Sequence, residues 1–152
     1  MRVDATRFGI IEVDQQSVIE MPAGMLGLED STRFVLLEDQ QDSAFKWLQS
    51  LDDPALAFIV IDPMDFFADY DVELNDEQAE SLDLSDPADA VTLTTVTVTR
   101  EQGQVSANLA GPIVINASTL RARQIVLEDE RYTTKHVIGN RLAPCPAVAG
   151  RR

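Results

Sequence analysis

Residues 45–63, FKWLQSLDDPALAFIVIDP, constrain the fold more than any other stretch, because they hold the single Trp and the most apolar short run of the chain. Leu56 to Ile61 is apolar at every position and rich in β-branched and aromatic types, and Pro54 and Pro63 fence it closely. A strand with one wet face alternates, so an unbroken apolar run predicts a strand covered on both faces. A buried helix is the competing reading, but six residues between two prolines make fewer than two helical turns, which favours the strand. Phe45, Trp47 and Leu48 predict a preceding strand, with Asp52, Asp53 and Pro54 forming the turn between the two.

The flanking sequence repeats this pattern of short strands. Val3 to Val13 and Val18 to Met21 read as a first hairpin connected through Asp14 to Ser17. Gly24 and Gly27 make MPAGMLGLED a loop, since glycine accepts positive φ, and Thr32 to Glu38 reads as the next strand. Asn75 is placed as the N-cap of a short helix through Leu82, with Asp76 and Glu77 favourably set in its first turn. Ser85 is expected to cap a second turn carrying Pro87. The alternating VTLTTVTVT of residues 91–99 and the following QVSANL predict a hairpin, IVIN another strand, and Arg123 to Leu127 the last one. The fold class that results is mainly β: a single compact barrel-like domain of about nine short strands with one or two short helices. It spans residues 1–136, and the Pro-flanked segment 137–152 reads as a disordered C-terminal tail.

Charge narrows the function. The chain carries 26 acidic residues against 12 Lys and Arg, a net charge of −14. The acids are concentrated: residues 1–100 hold 22 acids and 5 bases, residues 101–152 hold 4 acids and 7 bases, and residues 47–99 contain no Lys, Arg or His. Such a surface opposes direct nucleic-acid binding. It suits either a soluble body that stays monomeric when free or a surface for a basic protein.

Catalytic machinery is sparse. One histidine, His136, supports neither a metal cluster nor a strong triad, and no Gly-rich phosphate loop joins a strand to a helix. Asp52 and Asp53 beside Pro54 suit a turn better than an acid–base pair, and DVELNDEQAE lacks the glycine and ligand spacing of a calcium loop. No catalytic residue, cofactor or metal is therefore expected. A small carboxylate- or metal-dependent hydrolase, or an acidic structural module of another complex, remains the alternative to a protein-binding role. The single cysteine, Cys145, excludes an internal disulfide and fits a cytoplasmic location. No run approaches the roughly 20 apolar residues of a membrane-spanning helix.

Several ordered segments resemble the FliW family of flagellar assembly factors over about residues 1–136: MPAGMLGLED, RFVLLE, FKWLQSLDDPALAFIVIDP, FFADYDVEL, ANLAGPIVIN and RQIVLEDERYTTKH. The chain departs from the family pattern at Leu26 and Thr133, where proline is usual, and at Lys135, where arginine often precedes the histidine. The resemblance implies a β-barrel-like, non-enzymatic regulator with two alternative protein partners, the translational repressor CsrA, which it antagonises allosterically, and flagellin. By that account flagellin occupies the factor until it is secreted, after which the freed factor sequesters CsrA and flagellin translation resumes.

For the interface, exposed acids beside aromatic or rigid turn residues are the natural candidates: Asp52, Asp53, Asp65, Phe66, Asp69, Tyr70 and Asp71. Phe66 and Tyr70 read equally well as lids on one end of the barrel. Asn116 is a further candidate polar contact, although Asn after a strand is more commonly a turn residue. Trp47, Phe58 and Ile113 to Ile115 are assigned to the core.

Overall fold

The computed structural model describes residues 2–6, 8–38, 44–99 and 103–140. The central pair is built as the sequence predicts. Strand β5 (Lys46–Ser50) pairs antiparallel with β6 (Ala57–Ile61), and Trp47 stands opposite Ile59. On one side β5 pairs with β4 (Arg33–Glu38), which pairs with the two-residue β3 (Ile19–Glu20). On the other side β6 pairs with the ten-residue β7 (Ala90–Thr99).

Strand β7 organises the remainder. Its free edge is shared: residues 90–93 pair with β9 (Ile113–Asn116), and residues 96–99 pair with β8 (Gln104–Ala107). Strand β10 (Ala122–Gln124) adds to β9, and β11 (His136–Asn140) adds to β8. The sheet curls into a half-barrel until its two ends meet. There the Glu20 N–H donates to the Leu120 carbonyl at 3.0 Å, and the Leu26 N–H donates to Gln124 Oε1 at 2.9 Å.

Side-chain alternation then decides what lies inside. Phe34, Leu48, Val60, Leu93, Ile113 and Ile115 point inward and pack with Ile19, Met21 and Met25. Each such side chain, removed from water, stabilises the fold by roughly 1.5–3 kcal/mol. The outer face is also covered, as the apolar LAFIVI run predicts. Phe45, Ile61, Val96 and Val105 pack under Tyr70, Phe66 and Phe67, while Val114 and Ile125 pack under Leu82. Phe8 closes the third part of this face, meeting the Trp47 ring edge-on at 5.7 Å.

Three expectations need correction. The first hairpin falls, but for Arg2, within the segment Val3 to Val13 read as one strand: β1 (Arg2–Ala5) pairs with β2 (Gly9–Glu12). Gly9 at φ +74° supplies the left-handed residue that this tight reversal needs, and Ile19–Glu20 are left to pair with β4 instead. The last strand is not Arg123–Leu127. Strand β10 ends at Gln124, and β11 extends the ordered sheet beyond residue 136, because β8 presents an open edge that His136 to Asn140 fills. The rest of the expected tail, residues 141–152, with Cys145, lies outside the described residues. Finally, the 3-10 turn at Pro87–Asp89 is capped by Asp86 rather than Ser85, its Oδ1 accepting from the Ala88 N–H at 2.9 Å.

A candidate protein-binding surface

The acidic segment 62–89 crosses the outer face of the sheet as a sequence of small devices, each written in short polar residues. Asp62 caps a 3-10 turn at Pro63–Asp65, its side chain accepting from the Met64 N–H. Tyr70 then turns inward. It is 2% exposed, its hydroxyl donates to the Leu109 carbonyl at 2.7 Å, and its ring meets Tyr132 edge-on at 4.8 Å. Burial, with a smaller contribution from Tyr132, pushes the Tyr70 phenol well above the ordinary tyrosine range.

From Tyr70 the chain alternates: Asp71 and Glu73 face water while Val72 and Leu74 turn toward the core. Helix α1 (Asp76–Ser81) follows, opened by a capping box in which Asn75 Oδ1 accepts from the Gln78 N–H and Gln78 Oε1 accepts from the Asn75 N–H. Between this extended stretch, α1 and the start of β7 lies a groove of about 710 Å³. Its walls include Val72, Leu74, Ala79 and Leu84, and its rim carries Asp71, Glu73 and Asp86. Another apolar concavity, about 340 Å³ at the barrel mouth between Ile19, Leu36, Val91, Ile115 and Leu120, has no charged residue in its lining.

Which acids are already satisfied decides which are available. Arg33 holds Asp52, Arg121 approaches Asp83, Arg123 holds Glu77, and Arg131 holds Asp129. Asp65, Asp69, Asp71, Glu73 and Asp86 make no ion pair among the described residues. No Lys or Arg occurs in their own segment, so the distribution of charge along the chain becomes a one-sided field on this face.

The residues singled out in the sequence divide accordingly. Asp65, Asp69 and Asp71 are exposed and close in sequence, with Phe66 half-buried beside them against Phe45, ring centroids 6.2 Å apart. Asp52 belongs to a loop clamp. Its carboxylate accepts from the Thr32 and Arg33 N–H groups at 2.9 and 3.0 Å and pairs with the Arg33 guanidinium. Partial desolvation opposes its ionisation, yet these backbone and Arg33 bonds outweigh it and hold the carboxyl below its usual range. Asp53 is spent locally, accepting from the Ala55 N–H.

Tyr70 and Asn116 are corrections: both side chains are buried, so neither offers a contact to a partner. Asn116 is 3% exposed, with Nδ2 donating to the Leu82 and Asp83 carbonyls and Oδ1 accepting from the Ser118 and Thr119 N–H groups. Trp47 and Ile113 to Ile115 are core residues as assigned, and Phe58 packs half-buried against the inner cluster that holds Ile113 and Ile115. Sequence reasoning missed Glu73 and the apolar groove walls. The signal was there: DYDVEL alternates with period two, which places its acids on one edge and its apolar residues on the other.

The family model "FliW protein" matches residues 2–138. "Flagellar assembly factor FliW" of Geotalea uraniireducens is 44% identical over 136 residues, covering 90% of this chain and 83% of that protein. "Flagellar assembly factor FliW" of Geobacter sulfurreducens is 45% identical over 136 residues, covering 90% and 85%. A solved structure, "Crystal structure of the flagellar assembly factor FliW", superposes with a TM-score of 0.82 at 31% identity, covering 91% of this chain and 97% of that one.

Proposed function

This chain belongs to the FliW family of flagellar assembly factors, and from that premise we propose that it acts by binding proteins, without catalysis. Its partners are the RNA-binding translational repressor CsrA and, alternatively, flagellin. Flagellin occupies the factor while CsrA represses flagellin synthesis; when flagellin is secreted, the freed factor, a monomer in the cytoplasm, takes up CsrA and antagonises it allosterically.

The observation that supports this reading is the acidic face of residues 62–89, where Asp65, Asp69, Asp71, Glu73 and Asp86 make no ion pair among the described residues. Such a field accelerates encounter with a basic RNA-binding protein and repels RNA itself. Phe66 and Met64, the latter 49% exposed, supply apolar contact beside the charge.

Light scattering on the purified protein mixed with CsrA, with flagellin, and with both provides the test. A heavier species is expected with each partner, with flagellin displacing CsrA in the three-way mixture. If neither partner changes the measured mass, the reading is wrong.

A further inference from the structure

We propose that His136 is a proton-operated latch on the acidic face: neutral, it holds the stretch 129–135 that backs the Tyr70–Asp71 corner, and protonated, it lets that stretch go. The latch is a single contact. His136 Nε2 accepts from the Thr133 N–H at 2.8 Å, which leaves the ring proton on Nδ1. An imidazole that takes a second proton carries it on Nε2 and is then a donor at both nitrogens. Two N–H groups would face each other across the same gap, so the contact is lost rather than weakened.

What hangs from that contact reaches the surface. The Thr133 carbonyl accepts from the Leu109 and Ala110 N–H groups at 3.0 and 3.1 Å. The Leu109 carbonyl in turn accepts from the Tyr70 hydroxyl at 2.7 Å. A second path runs through Tyr132, next to Thr133 in the chain. Its ring lies 4.8 Å from that of Tyr70 and 6.3 Å from the imidazole, and its hydroxyl accepts from the Asp71 N–H at 3.4 Å. Both paths end where the chain passes from the buried phenol of Tyr70 to the exposed carboxylate of Asp71.

No neighbour is bonded to the ring to receive a second proton. Phe67 meets it edge-on at 5.9 Å, and β8, which pairs with His136 at Ala107, carries no charge from Gln104 to Ala107. The titratable rings beside it are Tyr132 and, behind that, Tyr70. Its own stretch of chain holds Lys135, Glu128, Glu130 and the mutually paired Asp129 and Arg131, and the segment that carries Phe67 holds Asp65, Asp69 and Asp71. Among the described residues none of these forms an ion pair with His136. Histidine is the side chain that ordinarily changes charge between about pH 5 and 8, and His136 is the only one in the chain, so the latch has one trigger. The face it backs is the one assigned above to partners, so its bearing on binding rests on that reading. The test uses the free protein and no partner, so either can fail alone.

Amide and imidazole resonances of the labelled full chain, followed from about pH 8 to about pH 5, provide the test. The Thr133, Leu109, Ala110 and Asp71 amides are expected to shift along one curve with the midpoint of the His136 ring. Hydrogen exchange of the Leu109 and Ala110 amides, corrected for intrinsic rates, should accelerate at least about threefold across it. Shifts confined to Thr133 and its chain neighbours, or unchanged corrected exchange, would overturn the proposal.

The His136→Gln variant supplies a control, because the side-chain carbonyl of Gln replaces Nε2 with an acceptor that does not titrate. It should hold all four amides near their neutral-pH positions through the same range. If it follows the parent's curve instead, the exposed carboxylates drive the shifts and the proposal fails. Should the variant not fold, judged by the resonances of β5 and β6, the parent's exchange decides.

Discussion

Asn116 of β9 donates its Nδ2 to the Leu82 carbonyl at 2.8 Å, so a single buried side chain fastens the C-terminal end of α1 to the sheet. Its Oδ1 accepts from the Ser118 and Thr119 N–H groups and fixes the turn into β10 at the same time. Replacing it with Ala leaves two carbonyls and two N–H groups without this partner. We expect Asn116→Ala to lose about 2–3 kcal/mol in urea unfolding, within the cost of orphaning buried polar groups. A loss below about 0.5 kcal/mol would mean that water replaces the side chain.

Tyr70 makes stability depend on pH on the alkaline side. The folded state holds its phenol above the ordinary value of about 10, so above that pH the unfolded chain loses the proton while the folded one keeps it. Stability should therefore fall as pH rises through about 10, and Tyr70→Phe should flatten this part of the curve while losing about 1 kcal/mol at neutral pH with the Leu109 hydrogen bond. Urea melts of both proteins between neutral and alkaline pH check this.

Asp52 has the opposite sign. Its folded carboxyl ionises below its ordinary range, so its contribution is present above that range and is lost as pH falls through the folded value. Asp52→Asn should weaken the fold at neutral pH by about 1–2 kcal/mol, the scale of hydrogen bonds to a charged group, and should reduce the acid-side loss. Thermal melts from neutral pH down to about pH 3 read both effects.

Gly24 sits at φ +70°, and a Cβ there would stand 2.6 Å from the Glu29 Cα. Positive φ alone costs an L-residue about 1–2 kcal/mol, and the backbone contact adds to it, so Gly24→Ala should destabilise by at least about 2 kcal/mol. Gly27, at φ +83° with open space around its Cβ position, should lose less on the same change. Equal losses would refute the steric argument.

Substituting Asp65, Asp69 and Asp71 together with Asn should slow CsrA association several-fold at low salt while leaving dissociation and melting temperature nearly unchanged, because all three side chains are exposed. Raising salt should erase the difference, since exposed charges are screened within about 10 Å at 0.1 M. Stopped-flow association at two ionic strengths measures it, and salt-independent association of the parent would exclude electrostatic steering by this face.

What the sequence made legible follows from how local each signal is. The strands β4 to β9 were readable because alternation, apolar runs and turn residues are written within a few neighbours, and so was the Asn75 cap. The pairing of Ile19 with Phe34 was not, because two residues are too short to carry a period and only the open edge of β4 selects them. Strand β11 was hidden for the same reason: HVIGN acquires its conformation from the edge of β8. Among the candidate contacts, exposed Asp65, Asp69 and Asp71 were legible from charge. Tyr70 and Asn116 were misplaced because their polar ends find buried partners at Leu109 and Leu82, 39 and 34 residues away in sequence.

The contact between Glu20 and Leu120 has a consequence for how these molecules behave in a crowd. Strand β3 is two residues long, β10 is three, and each shelters the other's outer edge. A neighbouring molecule finds no long run of unpaired N–H and C=O groups there on which to add a strand, the step from which sheet-rich proteins grow into fibres. That protection comes from geometry rather than from like-charge repulsion, so it persists in salt strong enough to silence the acidic face.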